Sequence, residues 1–223
     1  MSSWLAEAAA VFAKDWRTEL RTRFALNTLG LFAISTLVVV GMALGPIGGA
    51  PNGPSVLSAV LWLILLFAAT AGLPRLFVAE EETHTATALR LAATPSALFT
   101  GKLAYGLTLL LALEAITTPL YLAMVQLPVA SPGLLMTVLA AGAVGLAAAS
   151  TLVAVMVAQA RARGTLFAVL LFPVLVPLLV IVVALTRQAV SGEPANVGLT
   201  LLVLYDASVI VAGLMLFPAM WNP

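Results

Sequence analysis

Residues 56–73 read VLSAVLWLILLFAATAGL, eighteen positions without a charge, and residues 74–100 that follow read PRLFVAEEETHTATALRLAATPSALFT, where Arg75, Glu80, Glu81, Glu82 and Arg90 gather. From Gly101 to Met124 the chain is apolar again, broken only by Lys102 and Glu114. An uncharged run of this length is a membrane-spanning helix. A charged segment between two such runs is a loop on one side of the bilayer. The same alternation continues in both directions and predicts six spans, at about 24–44, 56–73, 101–124, 134–157, 165–185 and 199–217, in a single membrane domain covering 1–223. The intervening segments carry turn residues: three Pro and four Gly in 45–54, Pro128 and Pro132 before the fourth span, and Gly192-Glu193-Pro194 before the last.

Composition agrees. Of 223 residues, 62% are hydrophobic and 9% charged, against roughly 45–50% and 25% in soluble domains. A soluble enzyme, a nucleic-acid binder and a disordered chain are excluded, and the continuous apolar runs lack the alternation of an outer-membrane barrel. The expected fold class is an all-α polytopic membrane protein. Cysteine is absent, which removes disulfides and thiolate chemistry. His84 is the single histidine. One histidine does not make a haem or metal site, and this one lies in the charged loop, so it reads as an ordinary loop residue.

Basic residues set the expected orientation. Lys14, Arg17, Arg21 and Arg23 precede the first span, Arg75, Arg90 and Lys102 flank the second loop, and Arg161 and Arg163 mark the fourth. Only Arg187 falls on the other side. Cytoplasmic loops hold the excess of Lys and Arg, so both termini and the segment 74–100 are expected in the cytoplasm. The first 24 residues hold too many charges for a cleavable signal, and the N-terminus reads as part of the mature protein. Residues 4–23 predict an amphipathic helix with Trp4, Leu5, Ala8, Val11, Phe12, Trp16 and Leu20 on one side and Glu7, Lys14, Arg17, Thr18 and Arg21 on the other. Such a helix lies in the headgroup layer or packs on a partner.

An interfacial N-terminal helix, six spans and one enlarged cytoplasmic loop together resemble the permease of an ABC-2 type exporter. Leu73-Pro74-Arg75-Leu76-Phe77, the triplet Glu80-Glu81-Glu82, the stretch Ala88 to Pro95 and Gly101-Lys102-Leu103 are similar to that family's loop. Arg163-Gly164-Thr165-Leu166, Leu171 to Leu178 with its two prolines, Trp62 to Phe67, Lys14 to Arg21, and Tyr205-Asp206 with Leu216-Phe217 narrow the resemblance to the haem exporter permease, the B component, of cytochrome c maturation. The resemblance implies a coupling helix in 74–100 that docks on a separate ABC ATPase. It also implies a haem-handling membrane component, C, and a small component, D, of the same system as partners, and a location in the bacterial inner membrane. A second copy of the chain and membrane lipid complete the expected partners. Its implied role is to couple ATP hydrolysis on the partner to haem export or to release of a haem-loaded chaperone. An ABC-2 exporter of another cargo, such as a lipid or polysaccharide, is the alternative.

Several residues stand out for chemistry. Gly101-Lys102 is no Walker A motif, since no Gly precedes Gly101 by five positions. The chain is therefore expected to be no enzyme and to bind no cofactor by itself, with ATP on the partner and haem as possible cargo. Glu80, Glu81, Glu82, Leu89, Arg90 and Pro95 are the expected ATPase-coupling interface, although a charge run also serves as a solvated turn. Thr94-Pro95 reads as N-cap and N1 of the third-span helix. Glu114 and Asp206 fall inside spans, where a carboxylate is costly and either functional or a helix-to-helix lock. Pro173 and Pro177, four apart in the fifth span, each remove a backbone hydrogen bond and make a kink or a hinge. Gly142 and Gly145 give the fourth span a face that packs closely on another helix. An intramembrane protease or other enzyme finds no Ser–His dyad here.

Overall fold

The computed structural model describes residues 2–45, 50, 52–73, 80, 89, 91–158 and 163–221, with the side chains of 2, 157–158 and 163–168 left out. Among these residues the chain forms seven long helices and no strand: α1 (Ser2–Thr22), α2 (Phe24–Leu44), α3 (Gly53–Gly72), α4 (Pro95–Val125), α5 (Pro132–Ala158), α6 (Arg163–Ser191) and α7 (Asn196–Trp221). Six of them, α2 to α7, are long and apolar enough to cross a membrane. At 1.5 Å per residue the 21 residues of α2 reach about 31 Å, the thickness of a hydrocarbon core.

Helix ends depart from the expected spans where local signals override hydropathy. α4 starts at Pro95, where Thr94-Pro95 was expected to start it and six residues ahead of the apolar span at Gly101, because Thr94, with φ −66° and ψ 145°, stops the preceding chain and Pro95 fits the first helical turn. α6 runs to Ser191, six residues past the expected end, so Arg187 lies in the helix and not in a loop. It ends where Gly192 takes φ 75° and the Glu193 N–H bonds the Gln188 carbonyl at 3.0 Å.

α5 is the central post. It packs against α3, α4, α6 and α7, and residues 145–155 are buried on every side. The small residues Gly145, Ala147 to Ser150 and Ala154 allow neighbours to come that close. An added Cβ at Gly142 would collide with the Trp62 ring, which is fully buried and donates from Nε1 to the Thr186 hydroxyl at 2.8 Å. One indole thus ties α3 to α6 across the glycine of α5. By contrast α2 buries one stripe, Ala25, Leu29, Ala33 and Leu37, at four-residue steps. Most of the rest of its surface is apolar and open or half-open, with Leu31 and Met42 the most exposed, as suits a helix solvated by lipid.

Candidate functional site

Two turns into α4, the Lys102 ammonium is 1% exposed. A buried charge persists only with partners, and these come from distant segments. Its Nζ lies 3.2 Å from Asp15 Oδ2 in α1 and 3.0 Å from Glu80 Oε1 in the segment that connects α3 to α4. Lys14, at the edge of the cluster, reaches Asp15 Oδ1 at 3.1 Å and also binds Glu80 Oε1. Two ammonium and two carboxylate groups thereby join α1, the loop and α4. Burial works to lower the Lys14 pKa, but the carboxylates of Asp15 and Glu80 outweigh it and hold the group above its ordinary value.

The sequence of α1 explains why it can carry this cluster. Ala8, Val11, Asp15 and Glu19 recur at steps of three and four and are all buried, so they form the face set against α4. The small Ala8 and the glycine opposite let the backbones meet: a Cβ on Gly101 would sit 2.7 Å from the Ala8 carbonyl oxygen and 2.8 Å from Val11 Cβ. Further contacts flank this crossing. Trp4 donates from Nε1 to Ser96 Oγ at 3.0 Å. Glu7 Oε2 accepts the Thr94 N–H at 2.9 Å and the Thr94 hydroxyl at 2.8 Å, and these bonds hold the Glu7 carboxyl below its ordinary range.

At the far end of α1, Glu19 governs the elbow into α2. Its carbonyl accepts the Arg23 N–H at 2.6 Å, its Oε1 accepts the Leu26 N–H of the first turn of α2 at 2.8 Å, and its Oε2 accepts the Tyr105 hydroxyl at 3.1 Å. A carboxylate at a helix N-terminus is favoured by the unsatisfied amides there. Trp16 stacks on Phe12 and meets Tyr105 edge-on, with ring centres 6.2 and 6.4 Å apart.

The residues singled out from the sequence fall into separate places. Glu80 is buried and turned inward on Lys14 and Lys102, not outward as a docking triplet would have it. Leu89 is half-buried and its carbonyl accepts the Ala93 N–H at 3.1 Å. Pro95 occupies the first turn of α4. Glu81, Glu82, His84 and Arg90 lie outside the described residues. Glu114 is 5% exposed, beside the equally buried Thr117 and Thr118, and its Oε1 has no hydrogen-bond partner among the described residues. Asp206 packs over Gly145 of α5, whose missing Cβ would stand 2.6 Å from Asp206 Oδ1. Pro173 and Pro177 are exposed on the outer surface of α6, while the Tyr205 hydroxyl of α7 reaches the Val174 carbonyl between them at 2.6 Å. Glu114, Asp206 and the prolines therefore belong to the body of the bundle, in places of their own, and Glu80 belongs to the α1–α4 cluster.

Sequence reasoning missed Asp15, Glu19 and Tyr105 as cluster members, and used Lys102 as a loop charge and part of the Gly101-Lys102 motif but not as the centre of a buried cluster. A signal was present: Asp15 and Glu19 continue the Ala8–Val11 stripe at the correct step, so one helix face is apolar in its first half and acidic in its second. The expected split of α1 also shifts. Leu5 and Leu20 are 58% and 53% exposed, so the apolar set divides between α4 and the outside. Among the described residues no group of three or more His, Cys, Asp or Glu is arranged to hold a metal ion.

Comparison with known proteins gives two results. A family model described as CcmB protein matches residues 6–220. The chain is 29% identical over 211 residues to a protein of Bradyrhizobium diazoefficiens named heme exporter protein B, covering 91% of this chain and 90% of that one.

Proposed function

The chain belongs to the CcmB family, and on that premise we propose that it is the membrane permease of an ABC-type haem exporter serving cytochrome c maturation. It sits in the bacterial inner membrane with both termini in the cytoplasm, in keeping with the one-sided distribution of Lys and Arg. A separate ATPase hydrolyses ATP, and the haem-handling C component and the small D component complete the assembly. The segment 74–100 receives the ATPase, and ATP-driven movement of that segment drives haem export or release of a haem-loaded chaperone.

The observation that carries this reading is the buried cluster around Lys102. A push on the loop arrives at Glu80, and Glu80 is bonded to α1 through Lys14 and to α4 through Lys102. Because α1 also grips α4 at Thr94, Ser96 and Tyr105, α1 and the base of α4 move with the loop as one piece. Glu80 acts inside this device as a positioning residue, which leaves Glu81, Glu82, Leu89 and Arg90 as the proposed ATPase contacts.

The test is purification of the tagged full chain in mild detergent, with mass spectrometry of the proteins retained. An ABC ATPase and a haem-handling membrane protein are expected, and E80Q should keep the ATPase bound while lowering holocytochrome c yield. A chain that purifies alone, or an E80Q variant with full yield, refutes the coupling role.

A further inference from the structure

Counted along the sequence, the N-terminal segment is nearly neutral, with Lys14, Arg17, Arg21 and Arg23 against Glu7, Asp15 and Glu19. The fold divides these charges. Asp15 and Glu19 are turned into the protein and taken up by Lys102, Lys14, Tyr105 and the start of α2. Glu7 lies at the other end of α1, committed to Thr94. Arg17, Arg21 and Arg23 are all exposed and face no carboxylate among the described residues. The elbow between α1 and α2 therefore presents three guanidinium groups with their nearest acids removed.

The same helix shows what lies beneath it. Leu5, Ala9, Phe12, Trp16 and Leu20 follow one another at steps of four, three, four and four and form a stripe beside the face that grips α4. Leu5 and Leu20 are open, Phe12 and Trp16 half-open, and Phe24 at the elbow is 44% exposed. Arg17 and Arg21, one turn apart, border that stripe on the side away from α4. Apolar residues flanked by arginine suit the boundary between acyl chains and headgroups, and the guanidinium fork matches a phosphate.

Arg23 adds a second argument. It takes φ 52° and ψ 24° between the two helices, the left-handed conformation in which glycine costs nothing and a side chain is strained. An arginine held there points to a use for its charge at the elbow.

We propose that Arg17, Arg21 and Arg23 form a binding site for the headgroup phosphate of an anionic phospholipid, which seats α1 on the bilayer surface. The site distinguishes phosphatidylglycerol from phosphatidylcholine by net charge, since the choline cancels the phosphate and the glycerol does not.

The experiment uses the full chain in mixed micelles titrated with brominated phosphatidylglycerol or brominated phosphatidylcholine, and reads quenching of tryptophan fluorescence. Trp4 and Trp16 on α1 are the accessible reporters, because Trp62 and Trp221 are buried. The wild-type chain should be half-quenched by phosphatidylglycerol at a concentration at least ~10-fold below that for phosphatidylcholine, since each basic residue near an anionic surface contributes about fivefold. The R17Q/R21Q/R23Q variant should bring the two curves together, as should 1 M salt, where the screening length falls to about 3 Å. R23K should keep the preference. R23G, which relieves the backbone and folds at least as well, should lose about fivefold of it. Coincident curves for the wild-type chain, or a triple variant that keeps the preference, overturn the proposal. So does competition by soluble glycerol phosphate at equal concentration, which would assign the arginines to a free anion.

Discussion

Ion pairs stand at opposite ends of the bundle and look alike on paper. At one end Lys102 meets Asp15 and Glu80 with 1% of its side chain exposed. At the other, Arg187 meets Glu193 in a two-pronged contact, both distances 3.1 Å, with side chains 38% and 44% exposed. The outer pair has the better geometry and joins residues six apart in one turn. The inner cluster joins three segments, and its members are 87 and 22 positions apart. Distance and angle are thus a poor guide to what an ion pair does. Burial and chain separation decide it, because a buried charge stripped of its partner is left in a medium that cannot solvate it.

The largest effect should come from breaking the inner cluster. K102M removes the buried ammonium that faces Asp15 and Glu80, and is expected to cost about 3–5 kcal/mol, seen as a lower midpoint of thermal unfolding in detergent. Adding E80Q and D15N to K102M should recover much of that loss, since an apolar or neutral replacement of a whole cluster is tolerated better than half of one. If K102M unfolds at the wild-type temperature, the contrast between the two ends is void.

Next in size is the packing crossing at α5. G142L forces the Trp62 ring out of its slot and should cost about 1–3 kcal/mol, with the Trp62–Thr186 bond as the reporter through altered fluorescence. E19Q weakens the acceptor shared by Tyr105 and the first turn of α2, and a cost of about 1–2 kcal/mol is expected, appearing as faster proteolysis within 17–23. R187Q, at the outer end, should shift stability by no more than ~1 kcal/mol, and less in high salt. A loss comparable to K102M would overthrow the ranking by burial.

Acid and alkali sharpen the comparison further. Glu7 is bound more tightly as carboxylate, so its pKa is lowered from 4.5. Its contribution is present above 4.5 and fades as pH falls through the lowered value. Lys14 is raised above 10.5, so its contribution is present below 10.5 and fades as pH climbs through the raised value. The docking of α1 on α4, followed by tryptophan emission, should be flat between these limits and loosen beyond each of them.

Six spans could be read directly because twenty apolar residues in a row leave the chain little choice: in hydrocarbon every backbone amide must bond within its own helix. Thr94-Pro95 was equally plain, since a threonine followed by a proline, whose φ is preset and whose missing N–H is not needed in the first turn, favours a helix start. The fate of α1 was half legible. Its periodicity gives a helix with an apolar side. Whether Asp15 and Glu19 face water or protein depends on Lys102 and Tyr105, some ninety residues away. Glu80 shows the same dependence: beside Glu81 and Glu82 it is one of three identical letters, and only the approach of two lysines turns it inward. Local rules, set by solvent and backbone geometry, are written in consecutive residues. The pairing of buried charges is settled by which helices come together, and that is a property of the assembled bundle.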